Sequence, residues 1–387
     1  MDWSTFLKIN TIKNISLIGF ANIAGNAISA VFWLYLADVL GSENYGEISY
    51  LMGIGAIATA VSLLGSEQAI TVYSAKKINI QPPIYVISLV SSFTSAIILY
   101  IAFQHMGLSF FVLGYVIYAL TLSETLGRKL YKNYSIYYII QKILFVIFAL
   151  ILYYIIGPEG ILLGYGLSML FLTKRIYNSL KSSKIDFGIL KSKSHFIIHN
   201  YILDLTRVSK GQIDKLLIGF FFGFSLLGNY FLALQIISVL SILPGIIIKY
   251  TLPEDASGSS TKNLKFITAG FSVVLALLGI FVAPLILPIF FPTYSDAVEF
   301  LPLLSISLVP STVSSLYISK FLGMEKSNYV VVGNMIALIT AIIGILILGP
   351  IWGVIGLAVT IIISSSSQAI FYACFDFYKF KNNSYIS

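Results

Sequence analysis

Long apolar runs separated by short polar connections set the strongest constraint on how this chain of 387 residues folds. A helix that crosses a membrane needs about 20 predominantly apolar residues, and each of the longer runs meets that length. The runs lie near residues 15–40, 47–66, 83–104, 107–126, 135–157, 159–173, 197–222, 226–250, 265–291, 300–319, 328–349 and 351–375. The sequence therefore predicts an all-α polytopic membrane protein with about 12 transmembrane helices.

Lysine and arginine collect on alternate connections between these runs. The connections on the other side hold acids such as Glu43, Glu159 and Asp296 but no lysine or arginine. Because cytoplasmic loops are enriched in positive charge, we expect a multi-pass protein of the cell membrane with both termini in the cytoplasm. The basic residues assigned to the cytoplasm, besides those in the block 174–193, are Lys8, Lys13, Lys76, Lys77, Arg128, Lys129, Lys132, Lys249, Lys262, Lys265, Lys320, Lys326, Lys379 and Lys381.

Composition agrees with a chain surrounded by lipid. Charged residues make up 10% of the sequence, whereas soluble domains contain about 25%. The net charge of +8 lies mostly in the cytoplasmic connections, so we expect membrane lipids as partners and no nucleic acid, which would need a basic folded domain. The single cysteine, Cys374, excludes an intramolecular disulfide and a multi-cysteine metal site, and no bound cofactor is predicted.

The polar stretch 174–194 divides the chain into two halves. We predict an N-terminal six-helix lobe at 1–173, a cytoplasmic linker at 174–194 and a C-terminal six-helix lobe at 195–387. Three sequence echoes, each offset by about 190 residues, support a repeat. They pair Gly157-Pro158 with Gly349-Pro350, Leu126-Gly127 with Leu322-Gly323, and Leu40-Gly41 with Leu227-Gly228. An even number of spans in each half makes the repeats parallel, and transporters built from such repeats bind their substrate in a central cavity.

The seventh run differs from the others because it contains five ionisable residues. They are Asp204, Arg207, Lys210, Asp214 and Lys215. Most of them share one face of a helix with Asn200. Ionisable residues within a membrane usually face a bundle interior or a water-filled cavity, which favours a functional site. We interpret Asn200 and the three basic residues as substrate-binding groups for an anionic headgroup, and either acid as the coupling site for a proton or a sodium ion.

Two structural interpretations of this charged stripe stay open. The acids and bases could pair along the helix, Asp204 with Arg207 and Lys210 with Asp214, and so form an internal salt-bridge network. Alternatively, the first two turns of the helix could lie in the cytoplasm. In the fifth run, Lys142 is expected to extend its ammonium group to the cytoplasmic surface.

Polar residues in two further runs are also candidate substrate-binding groups. Asn22 and Asn26 share one face of the first run with Ser29 and Trp33, and Gln235 lies in the eighth run. The alternative for the amides is hydrogen bonding between helices, which amides commonly provide in membranes.

Sequence motifs of enzymes are absent. The chain contains no phosphate loop, no dinucleotide-binding glycine pattern, no zinc-protease helix and no nucleophile elbow. We therefore expect a transporter and not an enzyme.

Four segments give the chain a resemblance to a known family. They are residues 40–47 after the first run, Arg207 to Lys215 followed by residues 227–230, Pro284 to Tyr294, and residues 322–326. In these segments the chain resembles the polysaccharide flippases of the multidrug/oligosaccharidyl-lipid/polysaccharide exporter superfamily. The resemblance implies two six-helix lobes and a transporter that flips a lipid-linked oligosaccharide from the cytoplasmic to the outer leaflet by alternating access. It also implies that Arg207 and Lys215 hold the pyrophosphate, with a glycan polymerase or glycosyltransferases as candidate partners.

Three other functions are alternatives to a flippase. A drug or metabolite exporter of the same superfamily would favour an acidic cavity for cationic substrates, against the net positive stripe. A membrane polysaccharide polymerase or ligase would carry a large outward loop, whereas the predicted outward connections are short. A scaffold without transport activity would tolerate neutral replacements in the stripe.

The predicted orientation is testable by labelling with a membrane-impermeant thiol reagent. In a Cys374→Ser background, Glu159→Cys should react from outside the cell, and Lys184→Cys should react only after permeabilisation. Reaction of both cysteines from the same side would contradict the orientation.

Overall fold

The computed structural model describes residues 3–182, 185–242, 244, 245, 247, 251 and 262–380, and only the backbone of 3–16, 182, 262, 379 and 380. The first half of this region contains α1 (Trp3–Leu63), α2 (Ser66–Ala75), α3 (Gln81–Phe103), α4 (Met106–Gly127), α5 (Tyr131–Ile156), α6 (Glu159–Leu167), a 3₁₀ turn (Leu170–Leu172) and α7 (Thr173–Ser182). The second half contains α8 (Gly188–Phe222), α9 (Phe224–Leu240), α10 (Lys262–Phe281), α11 (Ala283–Phe290), α12 (Ser295–Ile306), α13 (Leu308–Gly323) and α14 (Ser327–Phe380). No strand occurs among the described residues, which confirms the predicted all-α fold.

Among the described helices, six are long and apolar enough to cross a membrane, or seven if α12 and α13 count as one bent span. Two of the six, α1 and α14, are each interrupted by a glycine with a left-handed φ, 70° at Gly41 and 55° at Gly353. Glycine adopts this conformation without the steric cost that a side chain adds. Each long helix therefore accounts for two of the predicted runs. The other predicted runs correspond to helices that are shorter, such as α6 and α9, or more polar, such as α8.

Two predicted runs are divided in the structure. The run 265–291 is split between α10 and α11 at Val282, and the run 300–319 is bent by 44° between α12 and α13. Pro284 and Pro310 each follow the break closely, and a proline nitrogen cannot donate to the carbonyl four residues before it. The new helix after the second break starts with a hydrogen bond of 3.0 Å from Ser311 N to Ser307 O.

The helices pack as two compact units. The first unit comprises Met1–Phe32 and Ile54–Leu205, and the second comprises Trp33–Gly53 and Thr206–Ser387. The N-terminal half of α8 thus packs in the first unit and its C-terminal half in the second. The predicted division into lobes at 1–173 and 195–387 stays a prediction. Within the predicted linker 174–194, the structure places most of α7 and the start of α8.

An apolar cluster forms the core of the first unit. Buried side chains of α2, α3 and α4 meet there, together with Ile176 of α7. Ile189, Leu190, Phe196 and Ile197 of α8 pack against this cluster. This packing explains why α8 begins at Gly188, earlier than the apolar run from residue 197: the added turns are amphipathic, so they contain no continuous apolar sequence.

The outer surface of the first unit is strongly apolar. Along α3, the side chains of Val90, Phe93, Ile97 and Ile101 are each at least 45% exposed. They follow one another at helical spacing and so form one stripe on the surface. In water, an exposed apolar stripe of this kind would favour aggregation. Among lipid chains, the same stripe is in a favourable environment. The protein is therefore a multi-pass membrane protein.

A close backbone contact in the second unit joins the 33–53 segment of α1 to α9. A Cβ atom at Gly46 would lie 1.9 Å from the carbonyl oxygen of Phe224, and one at Gly228 would lie 1.8 Å from that of Ser42. The two helices approach so closely only because neither glycine has a side chain.

Replacing Gly228 with alanine should therefore force α1 and α9 apart. Overpacking of this kind costs about 1–3 kcal/mol, so Gly228→Ala should lower the melting temperature of the purified protein in detergent. The matched control is Gly19→Ala, because Gly19 lies on α1 with nothing within 4 Å of the added Cβ. Equal melting temperatures for wild type and Gly228→Ala would contradict the contact.

Candidate functional site

The charged stripe predicted from the sequence lies on the continuous helix α8. Its residues fall in both units: Asn200 and Asp204 in the first, and Arg207, Lys210, Asp214 and Lys215 in the second. The side chain of Arg207 is exposed, and that of Asp204 is half-buried. Asn200 is buried and donates through Nδ2 to the carbonyl of Phe196 at 2.8 Å, a bond within its own helix.

Lys210 is held by a polar network that reaches into α14. Its Nζ donates to Oε1 of Gln368, whose side chain is fully buried. Nε2 of Gln368 in turn donates to Oδ1 of Asn334 at 2.9 Å and to the hydroxyl of Tyr372 at 3.2 Å. The hydroxyl of Tyr372 donates to the carbonyl of Val330 at 3.1 Å. The acceptor of the Lys210 ammonium group is therefore a neutral amide in a fixed orientation.

The ammonium group of Lys215 also donates its hydrogen bonds to neutral oxygen atoms. Its Nζ donates to Oε1 of Gln212 at 2.8 Å and to the carbonyl of Gly211 at 3.3 Å. The same ammonium lies 5.9 Å from the ring centroid of Phe231 on α9, within the range of a cation–π interaction. These three contacts orient the ammonium, and none of them supplies a negative charge.

Asp214 is bound from two directions. Its Oδ2 accepts a hydrogen bond from the hydroxyl of Tyr230, and its Oδ1 accepts one from the backbone nitrogen of Lys215 at 2.9 Å. The predicted pair of Lys210 with Asp214 does not form between these two described residues. The reason is that Gln368 and Tyr230, on other helices, supply partners for the two side chains.

The remaining sequence candidates are distributed over both units. On α1, Asn22 donates to the carbonyl of Ile18 at 2.8 Å, and Asn26 accepts from the hydroxyl of Tyr138 at 2.9 Å, both in the first unit. Trp33, predicted to share their face, is buried in the second unit, where its ring lies 5.8 Å from that of Phe231. Gln235 is half-buried on α9 in the second unit.

The second-unit part of α8 has a net positive charge. Between Thr206 and Phe222 it carries three basic side chains and one carboxylate. In a region of low dielectric, such an excess attracts anions strongly. Arg207 adds a planar guanidinium, whose fork of donors suits phosphate or carboxylate oxygens. Among the described residues, no group of three or more His, Cys, Asp and Glu side chains could hold a metal ion.

Three residues of this site were missed by the sequence analysis: Gln212, Tyr230 and Gln368. Gln212 could have been found, because it lies three residues before Lys215 on the same helix and hence on a neighbouring position of its surface. The other two come from α9 and α14, and no spacing within α8 indicates them.

Comparison with known proteins supports a transporter. No family model matches the chain. A curated protein of Haloferax volcanii, "Probable flippase AglR", is 25% identical over 395 residues, which cover 90% of this chain and 80% of that protein.

The chain has the fold of a superfamily of membrane transporters. The structure of the lipid II flippase MurJ in an inward closed conformation superposes with a TM-score of 0.72 at 14% identity, covering 92% of this chain and 87% of MurJ. An inward-facing multidrug resistance MATE family transporter of the MOP superfamily superposes with a TM-score of 0.66 at 14% identity. The superposition covers 91% of this chain and 93% of the transporter chain.

These likenesses confirm the resemblance to flippases of the exporter superfamily that the four sequence segments indicated. They also agree with a protein that carries out membrane transport. The predicted site residues are not tested by them and stay predictions.

The contact between Tyr230 and Asp214 can be tested by removing one hydroxyl group. Tyr230→Phe keeps the ring and leaves Oδ2 of the half-buried Asp214 carboxylate without this donor. Hydrogen bonds to charged groups contribute about 1.5–3 kcal/mol, so the variant should melt at a lower temperature in detergent. Tyr177→Phe is the matched control, because Tyr177 is 62% exposed on α7. If both variants melt like the wild type, Asp214 does not depend on Tyr230.

Proposed function

We propose that the protein is a flippase for a lipid-linked oligosaccharide. The substrate is a saccharide on a polyprenyl phosphate or pyrophosphate, moved from the cytoplasmic to the outer leaflet by alternating access for the synthesis of a surface polysaccharide. The observation that carries this proposal is that Lys210 and Lys215, on a helix within an apolar protein, donate to the neutral side-chain amides of Gln368 and Gln212.

The charge balance favours an anionic substrate. An ammonium group within a membrane is costly unless a partner or water compensates it. Since the amides of Gln368 and Gln212 orient the two ammonium groups without supplying negative charge, a phosphate group would complete their coordination. Arg207, one helical turn before Lys210, adds a bidentate donor to the same part of the helix. We assign Asn200, Asn22, Asn26 and Gln235 to contacts with the substrate, because amide groups pair well with saccharide hydroxyl groups and with phosphate oxygens.

The similar proteins differ in how far they support a lipid-linked substrate. The Haloferax protein is named a probable flippase, and MurJ is named a flippase of lipid II. The MATE likeness instead suits a drug or metabolite exporter of the same superfamily. The net positive charge of α8 counts against that alternative, because a positive surface repels cationic drugs.

Energy for transport would come from an ion gradient. We assign the coupling site for a proton or a sodium ion to Asp204 or Asp214. Protonation of Asp214 would weaken its charge-assisted hydrogen bond from Tyr230 and so alter the contact between α8 and α9. We further propose that the protein lies in the cell membrane with cytoplasmic termini and works beside a glycan polymerase or glycosyltransferases.

Arg207 provides the functional test. Arg207→Ala should abolish export of the surface glycan in cells whose own copy of the gene is deleted, while the amount of protein in the membrane stays the same. Arg207→Lys should restore export only in part, because lysine keeps the charge but not the bidentate geometry.

The control is Lys132→Ala, since Lys132 is exposed near the start of α5. It should export normally. Normal glycan display by the Arg207→Ala cells would remove Arg207 from the substrate site.

A further inference from the structure

A second cation lies inside the membrane region of the first unit. Lys142 is the twelfth residue of α5 (Tyr131–Ile156), and a rise of 1.5 Å per residue places it about 16 Å from the start of the helix. No other charged residue occurs in α5 after Lys132. Its side chain is half-buried. The expectation that Lys142 extends to the cytoplasmic surface would require its ammonium to pass several turns of helix.

The structure places the Lys142 ammonium within the protein. Its Nζ lies 5.5 Å from the ring centroid of Tyr138, only one turn nearer the start of α5. The lysine stem lies against α1, because a Cβ atom at Gly25 would be 3.3 Å from Cγ of Lys142 and 2.5 Å from Cε1 of Tyr138. The Lys142 side chain therefore lies where α5 packs against α1.

This ammonium has no anionic partner in the described part of the chain. No carboxylate of the described residues lies within salt-bridge distance of its Nζ. A single positive charge on a half-buried side chain in a membrane span is expensive, and such residues usually pair or bind a substrate. The cation–π contact with Tyr138 offsets only part of that cost.

Further polar groups lie beside Lys142, on α5 and on the neighbouring α1. The hydroxyl of Tyr138 donates to Oδ1 of Asn26 at 2.9 Å, which fixes that amide and directs its Nδ2 donor elsewhere. Asn26 is exposed, so this donor is accessible from outside the protein core. Tyr134 stacks on Tyr138 at 6.2 Å between ring centroids and holds the ring that faces the ammonium.

We propose that Lys142, Tyr138 and Asn26 form a second anion-binding site, in the first unit, for the phosphate group of the lipid-linked substrate. The inference rests on the proposed flippase function. Lys142 supplies a charged donor, Asn26 supplies an amide donor, and Tyr138 orients both. Because this site and the basic residues of α8 belong to different units, each can bind phosphate without the other.

The test uses the full-length wild-type protein in nanodiscs of phosphatidylcholine, a lipid without net charge. The rate of acetylation of Lys142 by an amine reagent is measured by mass spectrometry with polyprenyl phosphate, with polyprenol and with inorganic phosphate. Polyprenyl phosphate should slow acetylation about tenfold, the factor expected for one charge-assisted contact. Polyprenol should have no effect. Protection by inorganic phosphate as well would show that the lipid is not required for binding at this site.

Two controls make the result specific. Acetylation of Lys132, exposed on the same helix, should not change with polyprenyl phosphate. Protection of Lys142 should persist in Arg207→Ala protein, since that residue lies in the second unit. An unchanged acetylation rate of Lys142 in the presence of polyprenyl phosphate would overturn the proposal.

Variants at Lys142 extend the test to transport. Lys142→Met removes the charge at similar length and should reduce glycan export, whereas Lys142→Arg should keep most of it. If Arg207→Ala abolishes export while Lys142 is neither protected nor needed for export, the flippase function stands and the second site falls. If Lys142 is protected but no lipid-linked saccharide is moved, the anion site stands and the flippase function falls.

Discussion

The charged side chains of α8 are the constraint on which the second unit depends. Hydrocarbon cannot solvate an ammonium or a carboxylate, so each of these groups needs a polar partner supplied by the fold. Gln368 accepts from Lys210, and Tyr230 donates to Asp214. Gln368 is itself fixed by Asn334 and Tyr372. The charges of α8 thus account for the buried polar side chains of Tyr230 on α9 and Gln368 on α14. They also leave the second-unit part of α8 with a net positive charge.

Much of the fold follows from the length of the apolar runs, because a chain in a bilayer must satisfy its backbone hydrogen bonds within helices. The runs around Gly41 and Gly353 were separated correctly, although each pair forms one long helix with a kink. Run length could not predict α7 or the first turns of α8, which are amphipathic and gain their stability from the apolar cluster of the first unit. The positions of the bends at Val282 and Ser307 depend on nearby prolines, whose effect varies with local packing.

The candidate site was only half visible in the sequence. Arg207, Lys210, Asp214 and Lys215 were identified by their charge and their helical spacing. Ionisable residues are rare in membrane spans because burying them in hydrocarbon costs free energy. The partners on other helices, Tyr230 and Gln368, were not visible, because contacts between distant segments leave no spacing signal. The expected pairing of Lys210 with Asp214 failed for this reason. The surroundings of Lys142 could likewise be predicted only in part. Tyr138 lies one turn away on the same helix, whereas Asn26 reaches Tyr138 only through the packing of α1 against α5.

Transport by the purified protein in proteoliposomes tests the central claim most directly. A fluorescent polyprenyl-pyrophosphate saccharide and a fluorescent lipophilic cation are each supplied on one side, and their appearance in the opposite leaflet is followed by quenching under an ion gradient. The account predicts movement of the lipid-linked saccharide by wild type, loss of that movement in Arg207→Ala protein, and no movement of the cation. Movement of the cation without the saccharide would contradict it and identify an exporter of cationic compounds.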